Sequence, residues 1–329
     1  MSSPTLPTGR SVPPGAGQPP APRDRPAVWT VMDIIRWSGT YLHDKGIESG
    51  RLNAEHILAH VLGTERFQLY MNFDRPLTKG ELAKYRPLLR RRAAREPLQY
   101  VLGSAPFRNL GLRVDRRVAI PRPETEYMID VLKRVAGEDR VFDSAVDVGT
   151  GSGAIAVALA AEGLATSVIA TDISPAAISL ARENAVAAGL SCIDFRLGSL
   201  LNPVSGLTFD LVLSNPPYLT EAEWLDTEPE VREWEPRLAM VARNAGLEVI
   251  RNLVKGLGGA VRPGGWVGLE VGSTQGEVVA GLLRAMPGFE DVGVHDDLAG
   301  RRRYVFARRI VGGNTETGPA APAPIAREE

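Results

Sequence analysis

The sequence predicts two folded domains: a small helical one, followed by a larger α/β domain with a mostly parallel sheet. The chain has 329 residues, 44% of them hydrophobic, which suffices for about two domains with buried cores. Apolar residues recur at helical spacing in the first third, whereas β-rich runs alternate with helix-like segments beyond Pro123. That alternation is typical of βαβ units, and it therefore indicates a parallel sheet in the second domain.

Composition and turn signals set the expected domain limits. Residues 1–27 contain 8 of the 25 prolines and no aromatic residue, and residues 312–329 have a similar Gly, Pro, Ala and Thr character, so we expect two disordered tails. Residues 28–96 are expected to be helical and residues 121–311 to form the α/β domain. Between them, residues 97–120 alternate apolar and polar side chains around Gly103 and Gly111, which predicts a β-hairpin linker.

The helical segment shows amphipathic spacing and a clear helix start. Apolar residues at positions 31, 34, 35 and 42 share one helical face. Thr78 followed by Glu81 predicts a capping box, which opens a helix that Pro97 must end. That helix carries a basic run, which could meet an acidic protein surface or ribosomal RNA, or could be an ordinary solvated face: Lys84, Arg86, Arg90, Arg91, Arg92 and Arg95.

Charge and composition exclude several classes of protein. The 38 basic and 39 acidic residues give a net charge of -1, which lacks the positive excess expected of a protein that grips nucleic-acid phosphates. The longest apolar run, residues 154–161, is far shorter than the roughly 20 residues that cross a bilayer, and no secretion signal is evident. The single cysteine, Cys192, cannot form an internal disulfide or a cysteine-based zinc cage. We therefore expect a cytoplasmic protein with no metal site, no membrane partner and no direct nucleic-acid partner.

A glycine-rich loop follows the first predicted strand of the α/β domain. The expected strands cover residues 145–148, 168–171, 209–213 and 266–271, and the first leads into Gly149, Thr150, Gly151, Ser152 and Gly153. Glycines let the backbone turn sharply and approach a ligand, and the next helix begins with free N–H groups. The next predicted strand leads into Asp172, where a carboxylate can accept hydrogen bonds from ribose hydroxyls. The pair predicts a nucleoside ligand, although the loop alone could be a tight turn, and its GxGxG spacing argues against a dinucleotide.

A second loop, Asn215, Pro216, Pro217 and Tyr218, follows the third predicted strand. Because ligands bind at the carboxyl ends of strands in such sheets, this loop and the glycine loop should open into one crevice. The side-chain oxygen of Asn215 and the carbonyl of Pro216 are convergent acceptors for a planar –NH₂ group, and Tyr218 offers an aromatic wall. A plain Asn-Pro turn at a strand end is the structural alternative.

These motifs resemble a known family. The order DVGTGSG, TDIS and SNPPY is similar to that of class I S-adenosylmethionine-dependent methyltransferases that modify planar nitrogens. The wider pattern resembles the HemK/PrmC family of release factor glutamine methyltransferases, over roughly residues 29–309. It comprises REPLQYVLG at 95–103, IPRPETE at 120–126, EP at 235–236, EVGSTQG at 270–276 and DLAGRRR at 297–303. NPPY alone also occurs in DNA-adenine and ribosomal-RNA methyltransferases, whereas its combination with IPRPETE is more specific.

The resemblance implies an activity and a partner. The expected fold is a Rossmann-like class I methyltransferase domain over residues 121–311, with a helical-bundle substrate-recognition domain over residues 28–96. The expected reaction moves a methyl group from S-adenosylmethionine to the glutamine amide of the Gly-Gly-Gln motif in peptide chain release factors. Two alternatives use the same kind of site: methylation of a glutamine in a ribosomal protein, or of an amino group in ribosomal RNA or DNA. A silent scaffold that binds the cofactor is disfavoured by the intact NPPY loop.

The resemblance also assigns residues to roles. It gives the glycine loop to the methionine part of the cofactor, Asp172 to its ribose, and Asp147 to steadying the loop or reaching the cofactor ammonium. Asn215, Pro216 and Tyr218 would be catalytic and, with Pro217, would bind the glutamine amide; Asn215 would also touch the cofactor. Arg122 and Glu124 would border the pocket, although Pro123 followed by glutamates is equally typical of a plain helix start. Leu200 is the expected adenine contact, but Ser199 and Leu200 depart from the family pattern, as do residues 244–247.

Overall fold

The computed structural model describes residues 28–311, which divide into two compact units between Leu89 and Arg90. The predicted tails, residues 1–27 and 312–329, lie outside the described residues. This division lies seven residues before residue 96, where the sequence predicts the helical domain to end. The predicted domain limits therefore stay a prediction. Each unit is described by itself below.

The first unit, residues 28–89, is built from helices. α1 (Val31–His43) buries the predicted face at positions 31, 34, 35 and 42, and it packs against α2 (Gly50–Leu62). α3 (Arg66–Met71) is short, and α4 (Lys79–Ala93) runs across the division between the units. The predicted capping box is confirmed, because the backbone N–H of Glu81 donates to Thr78 Oγ1 (3.2 Å) and that of Thr78 to Glu81 Oε2 (2.8 Å). α4 ends at Ala93, ahead of Pro97.

The last three arginines of the basic run belong to the second unit, residues 90–311, and acidic residues of that same unit neutralise them. The guanidinium of Arg92 is almost fully buried and donates to Glu230 Oε1 (2.7 Å), and Arg95 bridges Glu228 and Glu230. Arg91 pairs with Glu96. The exposed members that remain candidates for contact with a partner are Lys84, Arg86 and Arg90.

The second unit opens with a short helix and a hairpin. α5 (Leu98–Leu102) ends at Gly103, whose φ of 75° lies in the left-handed region that favours glycine. β1 (Ser104–Phe107) and β2 (Leu110–Arg113) then pair antiparallel. The hairpin thus covers only the middle of residues 97–120. The stretch LQYVL is helical because a short apolar run fits a buried helical turn as well as a strand.

The remaining elements alternate helix and strand. In chain order they are α6 (Pro123–Ala136), β3 (Phe142–Val148), α7 (Ala154–Ala161), β4 (Ala165–Asp172), α8 (Pro175–Ala187), β5 (Ile193–Leu197), β6 (Phe209–Ser214), α9 (Glu221–Leu225), α10 (Pro229–Arg232), α11 (Glu248–Ala260), β7 (Val261–Glu270), α12 (Gly276–Arg284), β8 (Phe289–Asp296) and β9 (Arg302–Arg309). Short 3₁₀ helices cover Asn202–Val204 and Arg237–Ala239.

Within residues 90–311, β3 to β9 form a seven-stranded sheet in the order β5-β4-β3-β6-β7-β9-β8. β3 to β7 are parallel to one another, and β9 runs antiparallel to both of its neighbours, β7 and β8. This confirms the predicted α/β class with a mostly parallel sheet. The chain crosses from one side of β3 to the other between β5 and β6, so β3 and β6 flank the switch point, where such sheets bind their ligands.

Each face of the sheet buries its own hydrophobic core. Ala145 on β3 belongs to a cluster with residues of α6 and α7, whereas its neighbour Val146 belongs to a cluster with residues of α11 and α12. Successive side chains of a strand point to opposite faces, which explains the near-continuous apolar sequence of these strands. The polar residues of interest are therefore left at the carboxyl ends of the strands.

Candidate active site

Three polar segments lie side by side at the carboxyl edge of the sheet. Val148, the last residue of β3, pairs with Thr171 of β4 on one side and with Ser214 of β6 on the other. The residues that follow these three, namely Gly149, Asp172 and Asn215, are therefore neighbours on strands about 4.8 Å apart. The structure thus brings together the glycine loop, Asp172 and the Asn-Pro-Pro-Tyr loop, as their sequence positions predict.

The glycine loop needs its glycines for two different reasons. Gly149 (φ 77°) and Gly151 (φ 55°) have left-handed backbones, and a Cβ on either would meet no atom within 4 Å. The space above both residues is therefore open to a ligand. Gly153 (φ 83°) instead packs closely on α8, because a Cβ there would lie 3.1 Å from that of Ala181.

The carboxylates of Asp147 and Asp172 hold this loop by hydrogen bonds. Asp147 is fully buried, and its Oδ2 accepts hydrogen bonds from Thr150 Oγ1 (2.6 Å) and from the N–H of Ala156 (3.2 Å). Its Oδ1 has no hydrogen-bond partner among residues 28–311, and burial raises its pKa to about 7. Asp172 accepts from the N–H groups of Gly151 (2.9 Å) and Ser174 (2.8 Å), and burial raises its pKa as well.

Ser152 and Leu200 are held by contacts that the sequence did not reveal. The carbonyl of Ser152 accepts from Asn184 Nδ2 (2.8 Å), and this buried α8 amide also bonds to the backbone of Arg113 in the hairpin. The carbonyl of Leu200 accepts from Thr171 Oγ1 (3.0 Å), which places Leu200 beside the end of β4. Its φ of 50° is in the left-handed region, and Ser199 is exposed.

The side chain of Asn215 is fixed by one hydrogen bond from its amide nitrogen. Nδ2 donates to Thr125 Oγ1 (2.9 Å), which lies in the first turn of α6. Oδ1 accepts no hydrogen bond from the described residues, and neither does the carbonyl of the buried Pro216. These two oxygens remain available as acceptors.

Tyr218 closes the loop against a buried acid. Its hydroxyl donates to Glu270 Oε1 (3.2 Å), and the guanidinium of Arg303 lies 5.9 Å from its ring centroid. Thr125 Oγ1 donates to the other oxygen of the same carboxylate, Oε2, at 2.8 Å. Glu270 is 1% exposed, and burial raises its pKa to about 7 although Arg303 lowers it.

The backbone carbonyl of Tyr218, in the same loop, is held by Gln275 and lies close to Gly246. Gln275 Nε2 donates to the carbonyls of Tyr218 (2.9 Å) and Ala245 (3.0 Å). A Cβ on Gly246 (φ 75°) would lie 2.0 Å from the carbonyl oxygen of Tyr218, so glycine is required there. Asn244 (φ 54°) and Ala245 (φ 56°) are also left-handed. The unusual residues 244–246 thus form a tight turn that supports Tyr218.

Arg122 and Glu124 stand at the start of α6. Arg122 is its N-cap residue, Pro123 occupies the first turn, and the Arg122 guanidinium pairs with Glu235 Oε1 (2.5 Å). The buried Glu235 also accepts from the N–H of Ile120 (2.9 Å). The carbonyl of Glu124 accepts from the hydroxyl of Tyr304 (2.6 Å). Both residues therefore have the geometry of a helix start beside the site, and a role in binding stays a prediction.

Several supporting residues were missed by sequence reasoning although motifs contained them. Thr125 lies within IPRPETE, Glu235 within EP, and Glu270 and Gln275 within EVGSTQG. Their polar character was the available signal, but nothing in the sequence says which partner each one meets. In the part of the chain that the structure describes, no helix is long and apolar enough to span a membrane, and no three His, Cys, Asp or Glu residues gather as metal ligands would.

The fold and its matching family model define the class of this protein: it is a methyltransferase. Residues 125–229 match the model described as "Methyltransferase small domain", and residues 33–103 match "PrmC N-terminal domain". Release factor glutamine methyltransferases from three bacteria align along nearly their whole length. That of Geobacter sulfurreducens is 41% identical over 87% of this chain and 99% of its own, and those of Chlorobaculum tepidum and Cereibacter sphaeroides are 40% identical over 82% and 84% of this chain (94% and 98% of their own). The chain belongs to the release factor glutamine methyltransferase family.

Proposed function

We propose that this protein transfers the methyl group of S-adenosylmethionine to the side-chain amide nitrogen of a glutamine in peptide chain release factors, the one in their Gly-Gly-Gln motif. Membership of the family supports the reaction and the substrate class. The observation that carries the chemistry is the state of Asn215, whose Nδ2 is engaged by Thr125 while Oδ1 is left available beside the glycine loop.

The acceptors suit a poor nucleophile. An amide nitrogen delocalises its lone pair and becomes positively charged as it forms a new bond to carbon. Its N–H groups then become stronger donors, so Asn215 Oδ1 and the carbonyl of Pro216 bind the transition state better than the ground state. The new C–N bond would replace the methyl–sulfur bond of the donor, which would leave as the neutral thioether S-adenosylhomocysteine, and the amide nitrogen would lose one proton to water. Tyr218 would form an aromatic wall that limits the movement of the amide.

The residues around the glycine loop fit the proposed methyl donor. When bound, S-adenosylmethionine supplies an electrophilic methyl group on a sulfonium sulfur. The open space over Gly149 and Gly151 admits a ligand against the backbone, and the unpartnered Asp147 Oδ1 is a buried acceptor suited to an ammonium group. Asp172 would bind the ribose, since its two oxygens retain acceptor capacity beyond the hydrogen bonds from backbone N–H groups. Leu200 would border the adenine.

We assign recognition of the release factor to the helical segment, residues 28–96. A glutamine side chain alone offers too few contacts to identify a protein, so specificity has to come from surface outside the pocket. The first unit exposes Phe67 and Met71, one helical turn apart on α3, together with Phe73 just beyond. Exposed large apolar side chains grouped in this way are typical of a protein-binding surface.

The test is a methylation assay with defined substrates. The full-length protein and S-adenosylmethionine with an isotopically labelled methyl group are incubated separately with an intact release factor, a peptide containing its Gly-Gly-Gln motif, a glutamine-containing ribosomal protein and ribosomal RNA. Mass spectrometry then locates the label. We expect label on the Gly-Gly-Gln glutamine, and a much higher kcat/KM for the intact factor than for the peptide.

The other outcomes separate the alternatives. A higher kcat/KM for the ribosomal protein, or label on RNA amino groups, would reassign the substrate while leaving the methyl donor in place. Equal kcat/KM for factor and peptide would remove the recognition role of the helical segment. The absence of label on any substrate, in a sample that binds S-adenosylmethionine, would refute the proposed reaction.

A further inference from the structure

The carboxyl group of Glu270 lies at the end of β7, behind the Asn-Pro-Pro-Tyr loop, and none of the roles above uses it. It is nearly inaccessible, yet it receives two hydroxyl hydrogen bonds, from Thr125 at 2.8 Å and from Tyr218 at 3.2 Å. The threonine is itself 5% exposed. Burying a carboxyl group has a free-energy cost that a plain packing role would not require.

The direction of the hydrogen bonds fixes the orientation of Asn215. An ionised carboxylate can only accept, so the hydroxyl of Thr125 has to donate its one hydrogen to Glu270. The oxygen of that hydroxyl can then only accept from Asn215, at 2.9 Å. The group of Asn215 that faces the Thr125 hydroxyl must therefore be the amide NH₂, and Oδ1 points away from that hydroxyl.

We propose that Glu270 is a positioning residue, which acts through the hydroxyl of Thr125 to hold the Asn215 amide with its oxygen facing the substrate amide, and which anchors Tyr218 at the same time. This inference rests on the function proposed above. It explains why Asn215 Oδ1 is in place before substrate arrives, a condition for electrostatic stabilisation without reorganisation.

The protonation state of Glu270 should therefore control the orientation. If Glu270 binds a proton, it can donate to Thr125, whose hydroxyl is then free to donate to Asn215 Oδ1 and reverse the amide. The groups that face the carboxyl are Tyr218 from the loop after β6, Arg303 and Tyr304 from β9, and Glu124 from α6. Burial raises the pKa of Glu270 to about 7 and raises those of both tyrosines above their usual value, so among the groups around this carboxyl Glu270 is the one expected to titrate between pH 6 and 8.

The first experiment compares isosteric variants of Thr125. Thr125→Val keeps the shape but removes the hydroxyl, so we expect kcat to fall by at least about tenfold, the effect of an unpaired buried amide. Thr125→Ser restores the hydroxyl and should recover most of the rate. The Kd for S-adenosylhomocysteine, measured by calorimetry, should stay within about twofold in both variants, because neither changes the glycine loop.

The second experiment uses pH. In the wild-type protein, kcat should decline as the pH falls through about 7, the pKa of Glu270. In Glu270→Gln this decline should be absent, and kcat at pH 8 should be lower than in the wild type. A Glu270 with a purely structural role would leave the shape of the pH profile unchanged.

A readout without catalysis comes from the side-chain NH₂ signals of Asn215 in ¹⁵N spectra, assigned by their loss in Asn215→Ala. They should shift in Thr125→Val, and they should titrate near pH 7 in the wild type but not in Glu270→Gln. The positioning role is overturned if the wild type is active while its NH₂ signals and its pH profile are the same as those of Glu270→Gln. It is also overturned if Thr125→Ser is as slow as Thr125→Val. An inactive wild type with the expected NH₂ titration would instead refute the proposed function alone.

Discussion

The glycine loop after β3 and the Asn-Pro-Pro-Tyr loop after β6 end neighbouring strands, but they are held in different ways. The glycine loop is held by Asp147, three residues from its partner Thr150, and by Asp172, 21 residues from its partner Gly151. The second loop depends on Thr125, Glu270 and Gln275, which lie 90, 52 and 57 residues from the groups they bind. The groups that bind the glycine loop lie at most 32 residues away, since Asn184 of α8 also binds the carbonyl of Ser152, whereas those that bind the second loop lie at least 52 residues away.

We expect this difference in support to separate cofactor binding, which depends on the glycine loop, from the rate of methyl transfer, which depends on the Asn-Pro-Pro-Tyr loop. In the proposed function the glycine loop presents backbone and carboxylates to the cofactor, and the groups that hold it lie comparatively near it in the chain. The Asn-Pro-Pro-Tyr loop presents the oxygen of Asn215, whose direction is set by a hydrogen-bond chain, and we expect such a chain to contribute most where charge develops in a transition state. Changes in the first loop should therefore alter cofactor affinity, whereas changes in the second should alter turnover.

The largest effect is expected for Asn215→Ala. Loss of Oδ1 removes the acceptor that we propose strengthens in the transition state, so single-turnover methylation should slow by roughly a hundredfold or more, as for the loss of an oxyanion-hole donor. The Kd for S-adenosylmethionine should change far less. A variant with near-normal turnover would remove Asn215 from the mechanism, and a large loss of cofactor affinity would erase the distinction between the two loops.

Gly246→Ala should damage the second loop through its support. The added Cβ would overlap the carbonyl of Tyr218, and its φ of 75° is unfavourable for alanine, so we expect destabilisation of roughly 2–3 kcal/mol and lower turnover. Gly163→Ala is a matched control, because Gly163 is also left-handed (φ 66°) but a Cβ there would meet nothing within 4 Å. Urea unfolding of both variants measures the difference. Equal loss of stability would show that Tyr218 does not need this close contact.

Asp172→Ala should act on the first loop. It removes the carboxylate proposed for the ribose and also the acceptor of the Gly151 N–H, so cofactor affinity should fall at least about tenfold by calorimetry. Asp172→Asn, which keeps one acceptor oxygen, should lose less. An unchanged Kd in a folded Asp172→Ala variant would contradict the ribose assignment.

The smallest effect concerns stability against pH. Burial raises the folded-state pKa of Asp147 and of Glu270 to about 7, above the value of about 4 for unfolded chains. Between these pH values the folded state binds more protons, so each group makes the protein less stable as the pH rises from about 4 to 7. The difference in Tm between Glu270→Gln and wild type should therefore increase from pH 5 to pH 8 by a few degrees, and Asp147→Asn should behave alike. A difference independent of pH in either variant would show that the carboxyl has the same pKa folded and unfolded.

Local signals predicted much of the fold. The apolar cores of β3, β4, β6 and β7 stand out as β-rich runs, and the capping box of Thr78 and Glu81 needs only four residues. By contrast, β5, β8 and β9 did not stand out, because charged residues occupy much of each: IDFRL, FEDVGVHD and RRYVFARR. Position in the sheet, rather than propensity, makes them strands.

The basic run shows the same limit. Six cations on one predicted helix suggested a single surface, but Arg92 and Arg95 reach Glu230, 138 and 135 residues away, and are no longer available to a partner. The sequence specifies the charges, whereas the fold decides which of them are neutralised. Charge patterns alone therefore overstate the surface open to a partner.

By itself, the sequence determined the class of fold, the glycine loop and the order of the site motifs, because each depends on residues that are close in the chain and on the spacing of strand and turn. Only the tertiary structure decided which way Asn215 points and what holds Tyr218. Those answers require Thr125, Glu270, Gly246 and Gln275 to meet around one loop, and no local preference specifies that meeting. Burial in the assembled sheet also raises the pKa of Glu270 into the range where it can respond to pH.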